Sequence, residues 1–241
     1  MKRVWFLFVF SMVVLSSTAQ VTKKALDLPE FRSIYNNSSY TVYLKQTNKQ
    51  EVNVEALTEI YELTNIYVEN GVLMINVERK LENANKSVWA KIDDIKVNPT
   101  MKLYVSMKNI SDLQVNGAGK IVAENSLAAN NLKLAVSGSG SMDLDVKGEY
   151  IAAELSGSGK LVLKGYGTNL AAQIAGSGAI NGFNCPVEKA TVQMSGSGLA
   201  ELNVSDTIEA TVTGSGSVKH KGNTKHAIRR VYGTGTVDRA Y

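Results

Sequence analysis

The chain has 241 residues, is 44% hydrophobic and 20% charged, and carries a formal net charge of +4 at pH 7. Lys2 and Arg3 supply two of those charges, and the +2 left without them is too weak to argue for nucleic acid. A lone cysteine, Cys185, excludes an internal disulfide and reads as a small buried hydrophobe, while three prolines suit uninterrupted strand pairing.

Residues 1–19 read as a signal peptide. Lys2 and Arg3 precede an apolar run from Val4 to Leu15, and Ser17-Thr18-Ala19 offers a small-residue cleavage site before Gln20. That run is too short to span a bilayer, and no later segment is long enough. No cysteine follows it to take a lipid. The expectation is an exported chain, located in the periplasm, on the outer-membrane surface or outside the cell.

Residues 20–110 read as irregular N-terminal β coils plus a cap. Tyr40 to Leu44 alternate in polarity, Thr47 to Gln50 turn into Val52-Asn53-Val54, and Asn70-Gly71 is a two-residue hairpin signal before Val72 to Val77. Apolar residues at Ile34, Val54, Ile75, Ile95 and Val115 keep a spacing of 20–21 residues, which suggests that coiling starts early.

Residues 111–241 carry a regular repeat. A Gly-x-Gly recurs as Gly117 and Gly119, Gly138 and Gly140, Gly157 and Gly159, Gly176 and Gly178, Gly196 and Gly198, Gly214 and Gly216, and Gly233 and Gly235. The first glycines lie 21, 19, 19, 20, 18 and 19 residues apart. Apolar positions alternate on both sides of each motif, as in Leu134, Val136, Met142 and Leu144. Each unit is therefore strand, glycine corner, strand, with one face buried. One unit cannot bury that face alone, so units stack. The fold expected is all-β, a right-handed parallel β-helix with Gly-x-Gly corners about every 19–20 residues and a rod roughly 30–35 Å long at ~4.8 Å per strand. Propeller blades need a longer period, leucine-rich repeats another signature, and calcium-binding nonapeptides an Asp after the glycines.

The chain opens this region with Phe31-Arg32-Ser33-Ile34, continues through Asn70 to Ile75 and Met101 to Val105, and ends in Ser-Gly-Ser-Gly coils. Over residues 28–241 this resembles the head GIN domain family of auto-transporter adhesins, common in Bacteroidetes. The resemblance implies a right-handed β-helix and an extracytoplasmic location.

Chemistry is sparse. His220 and His226 lack a nearby Cys or Asp, so no metal site is read, and His220 falls at an inward repeat position. The Ser-Gly-Ser-Gly motifs lead into strands, which excludes a nucleophile elbow and a phosphate loop. No catalytic residue and no cofactor is assigned. Asp143, Asp145, Glu154 and Glu201 leave open a carbohydrate-active enzyme, a polysaccharide lyase or hydrolase working across coils. Two binding features remain. One is a hydroxyl stripe of Ser137, Ser139, Ser156, Ser158, Ser195, Ser197, Thr213, Ser215 and Thr234. The other is a basic last coil, where Lys219, Lys221, Lys225, Arg229 and Arg230 are candidate polyanion-binding residues, with Arg239 beside them. Asp206-Thr207-Ile208 also matches an Asp-Thr-aliphatic O-glycosylation signal. The expected function is a non-enzymatic surface binding or adhesion-type protein, with a glycan, an envelope polysaccharide or another surface protein as partner.

Overall fold

A computed structural model describes residues 20–78 and 100–240; residues 1–19, read above as a signal peptide, and Ile95 lie outside them. The chain is a β-solenoid of about seven turns. Its first part is built from β1 (Val21–Leu26), β2 (Ser33–Asn37), β3 (Thr41–Gln46), β4 (Glu51–Leu57), the single helical turn α1 (Thr58–Tyr61), β5 (Thr64–Glu69), β6 (Val72–Val77), β7 (Met101–Met107), β8 (Asp112–Gly117) and β9 (Lys120–Ala123). The β5–β6 hairpin closes through Asn70 and Gly71, both at positive φ (51° and 75°), the conformation its dipeptide favours.

The spacing through Ile34, Val54, Ile75 and Val115 is not the pairing register. Ile34 pairs with Leu73 and Leu113, while Asn36 pairs with Ile75 and Val115. Val54 lies on β4, which runs antiparallel to β1 and β7. The layer β2·β3 therefore sits between β6·β7 and β8·β9, so stacking order departs from chain order. Aliphatic residues recurring at this interval satisfy the inward pattern in any layer, and the pattern alone cannot say which layer is the neighbour.

From β8 onward order and stacking agree. β10 (Leu127–Gly138), β11 (Ser141–Gly157), β12 (Lys160–Gly176), β13 (Ala179–Gly196) and β14 (Leu199–Gly214) pair in parallel, each in register with the next at its closing glycine. β15 (Ser217–Lys221), β16 (His226–Gly233) and β17 (Thr236–Arg239) finish the stack. Inward columns hold the core. Leu134, Ala153, Ala172, Val192 and Ala210 follow one another in register and are all buried, beside Val136, Leu155, Ile174, Met194 and Val212.

The two glycines of a motif serve different needs. Gly157 has φ 105°, and a Cβ there would lie 2.7 Å from the Gly138 carbonyl oxygen of the preceding coil. That carbonyl accepts the Ser158 amide at 2.9 Å, so the corner is both left-handed and bonded across coils. A Cβ on Gly159 would instead run into the Val136 side chain. The turn between β2 and β3 has no glycine. Asn36, fully buried, supplies the bonds: its amide donates to the Tyr40 carbonyl at 2.7 Å and its Oδ1 accepts the Ser38 hydroxyl at 2.6 Å.

Candidate functional site

Alternation sends every second side chain of the sheet containing β10 to β14 outward. In register these form two columns: Ala135, Glu154, Gln173, Gln193 and Thr211, then Ser137, Ser156, Ala175, Ser195 and Thr213. Together they line an open groove of about 540 Å³. The second column is small, hydroxyl except at Ala175, and the first carries Glu154, Gln173 and Gln193 between Ala135 and Thr211. Layers lie ~4.8 Å apart, so the groove presents a repeating set of hydrogen-bond donors and acceptors.

The hydroxyl stripe divides in two. Ser137, Ser156, Ser195 and Thr213 end the strands and line the groove, whereas Ser139, Ser158, Ser197, Ser215 and Thr234 occupy the turns between the glycines. Turn hydroxyls meet at one place, where Thr234 donates to Ser215 at 2.9 Å. The carboxamides Gln173 and Gln193, stacked in adjacent coils, were not singled out from the sequence. They are visible there as residues three positions before successive Gly-x-Gly motifs.

Most of the basic end is already engaged. Lys225 pairs with Asp206 at 3.2 Å and Arg230 with Glu209. Lys221 lies over the Phe183 ring, 4.9 Å from its centroid. Arg229 donates to His220 Nε2 at 3.2 Å, Arg239 to the Gly222 carbonyl at 3.1 Å, and Lys219 stands in register with Asp238. The Lys225 ammonium, then the Thr207 hydroxyl, holds the Asp206 carboxyl below its ordinary range. Thr207 donates that bond at 3.1 Å, so the hydroxyl of the Asp-Thr-Ile sequence is occupied. His220 is 2% exposed, at the inward position its repeat phase implies; His226 is exposed on β16.

Asp143 and Asp145 share the outward face of β11, two residues apart, but each is engaged, and Glu154 and Glu201 stand elsewhere. Asp143 pairs with Lys164 at 2.9 Å, Glu154 pairs with Lys133 at 3.4 Å, and Asp145 accepts the Ser126 hydroxyl at 3.0 Å. Glu154 stands on the groove face, while Asp143 and Glu201 stand in the outward column through Val162 and Asn181. Those two are three layers apart, about 14 Å, beyond the separation two glycosidase carboxylates use. Among the described residues no group of three or more His, Cys, Asp or Glu side chains is placed to hold a metal ion. No helix among them is long and apolar enough to cross a membrane.

A family model described as "Putative auto-transporter adhesin, head GIN domain" matches residues 30–224. Three solved structures share the fold. One, described as a "putative adhesin" from Bacteroides fragilis, is 21% identical with a TM-score of 0.81, over 92% of this chain and 98% of that one. A "putative lipid binding protein" from Parabacteroides distasonis is 18% identical with a TM-score of 0.71, over 92% and 97%. A "putative adhesin" from the same organism is 23% identical with a TM-score of 0.66, over 92% and 98%. No curated protein matches the chain.

Proposed function

The chain belongs to the family described as "Putative auto-transporter adhesin, head GIN domain", and on that premise we propose that it is an exported, non-enzymatic binding protein of the cell surface or envelope. Its groove receives an extended polysaccharide. One observation carries this reading: Ser137, Ser156, Gln173, Gln193, Ser195 and Thr213 form register-matched hydroxyl and carboxamide ladders along a groove of about 540 Å³. Sugar hydroxyls need paired donors and acceptors at short, regular intervals, and each layer of the solenoid supplies a set. Two further facts agree. The candidate catalytic carboxylates are engaged with lysines or a serine, or lie apart. The basic end, whose cations are largely engaged, makes a weaker primary site for polyanions.

The test is a binding screen against neutral and acidic glycans, lipopolysaccharide included, at low and high salt. Glycan binding that resists salt and falls about tenfold or more in Gln173→Ala/Gln193→Ala supports the groove, since a lost polar contact in a site is worth on the order of 1–3 kcal/mol. Binding lost in salt but untouched by that double variant relocates the site to the basic coil. New reducing ends or unsaturated products in the incubated polysaccharide overturn the non-enzymatic reading.

A further inference from the structure

The two columns of the groove end on different side chains. On β8, one layer before β10, Gln114 and Asn116 stand in register with Ala135 and Ser137. Both are tied down: Gln114 donates to Asp112 Oδ2 at 3.3 Å and Asn116 to Asn37 Oδ1 at 2.8 Å. At the other end β16 puts Arg230 in register with Thr211 and Tyr232 with Thr213. Val231 between them follows the inward position of Val212, so alternation turns Tyr232 to the groove side. Tyr232 is 61% exposed, more than any other large hydrophobic among the described residues. The small column Ser137, Ser156, Ala175, Ser195 and Thr213 thus runs onto an open aromatic ring.

Charges beside the groove are already paired. Lys133 pairs with Glu154 and Arg230 with Glu209, and Asp112 Oδ2 accepts from the Tyr35 hydroxyl as well as from Gln114. An acidic sugar would have to break an ion pair to find a cation. A neutral one finds the hydroxyls of Ser156, Ser195 and Thr213 and the carboxamides of Gln173 and Gln193. The two columns stand two residues apart on each strand, about 7 Å, and repeat every ~4.8 Å along the solenoid. A ligand that meets both Gln173 and Tyr232 crosses three layers, about 14 Å, and therefore lies along the axis.

We propose that the groove takes a neutral, unbranched glycan lying along the solenoid axis, with Tyr232 as the platform on which one of its sugar rings stacks. This rests on the groove reading above and adds the ligand class and the aromatic contact. The C–H face of a pyranose ring is apolar and packs on an aromatic face, which an exposed tyrosine supplies. The hydroxyls at the edge of the sugar then meet the donors and acceptors of the two columns. Columns that hold their register over five layers suit an extended, ribbon-like chain of the kind that cellulose and linear mannan form. A coiled, starch-like chain would leave them after a short contact. The competing account of Tyr232 is that it is exposed only because no coil follows it, and that account gives the residue no part in binding.

Calorimetric titration with cellohexaose, mannohexaose and hexagalacturonate at low and high salt tests this. The proteins are the parent, Tyr232→Ala, Tyr232→Phe and, as a control, Tyr166→Ala, each checked for an unchanged melting midpoint. Tyr166 is 57% exposed but stands in register with Lys147, outside the groove lining. The expected result is a parent that binds a neutral hexamer equally at both salt levels and hexagalacturonate more weakly. Tyr232→Ala weakens neutral binding about tenfold, whereas Tyr232→Phe and Tyr166→Ala leave it unchanged. A Tyr232→Ala variant that binds like the parent, while Gln173→Ala/Gln193→Ala does not, overturns the platform and leaves the groove reading standing. An equal loss in Tyr232→Phe or in Tyr166→Ala overturns stacking at this residue, and tighter binding of hexagalacturonate overturns the neutral class. A parent that binds neither neutral hexamer overturns the inference, and the groove reading falls with it only if the wider glycan screen is also blank.

Discussion

Arg229 donates to Nε2 of His220 at 3.2 Å, while Nδ1 of the same ring lies 3.2 Å from the Thr224 hydroxyl. Thr224 spends its own proton on the Val204 carbonyl at 2.9 Å, so it accepts from Nδ1–H and the ring is neutral. A histidine and an arginine thus close the last coil at positions that hold Leu202 and Ala210 one coil earlier.

That arrangement makes stability pH-dependent. Burial first, then Arg229 and Arg239, lower the His220 pKa below its ordinary 6.5. The unfolded chain therefore binds a proton more readily than the folded one, and folding stability is lost as pH falls from about 6.5 through the lower folded value. The melting midpoint should be flat from pH 7 to 8 and decline below about 6.5. His220→Leu should remove that part of the slope; an unchanged slope refutes the assignment.

Gly157→Val should destabilise the fold by about 2–5 kcal/mol, since it forces a β-branched residue to φ 105° and a Cβ to 2.7 Å from the Gly138 oxygen. Gly71→Asn is the control. Its φ is 75° with nothing near the added Cβ, and Asn tolerates that region, so it should cost under about 1 kcal/mol. Urea denaturation of both variants gives the comparison, and equal costs contradict the cross-coil account.

Asn36→Val places the valine found at position 115 into the register-matched site. It should nonetheless cost about 2–4 kcal/mol, because the Tyr40 carbonyl loses its bond from the Asn36 amide and the Ser38 hydroxyl its acceptor. A melting midpoint equal to the parent's would show that the glycine-free turn holds without this side chain.

Cys185 is 3% exposed, and burial, aided by the Asp145 charge, raises its thiol to about 11. At pH 7.5 a thiol reagent should leave it unmodified in the folded protein and modify it quickly in denaturant. Comparable rates in both states contradict its place in the core.

Gly-x-Gly periodicity and two-residue alternation are local signals. Residues 111–241 could therefore be read as stacked coils with Leu134, Val136, Met142 and Leu144 inward, and Asn70-Gly71 as a hairpin. Each coil there neighbours the next in sequence, so the period itself carries the register. Three things needed the tertiary structure. β2·β3 lies between layers written 39 and 79 residues later, a choice made by long-range register that no local period encodes. The turn between β2 and β3 does without glycine because the buried Asn36 side chain satisfies its backbone, and only its neighbours reveal that it does. The basic cluster also changes meaning. Sequence counts Lys225, Arg229 and Arg230 as a patch, but folding brings Asp206, His220 and Glu209 against them, and a charge is available to a ligand only when its own chain has not already claimed it.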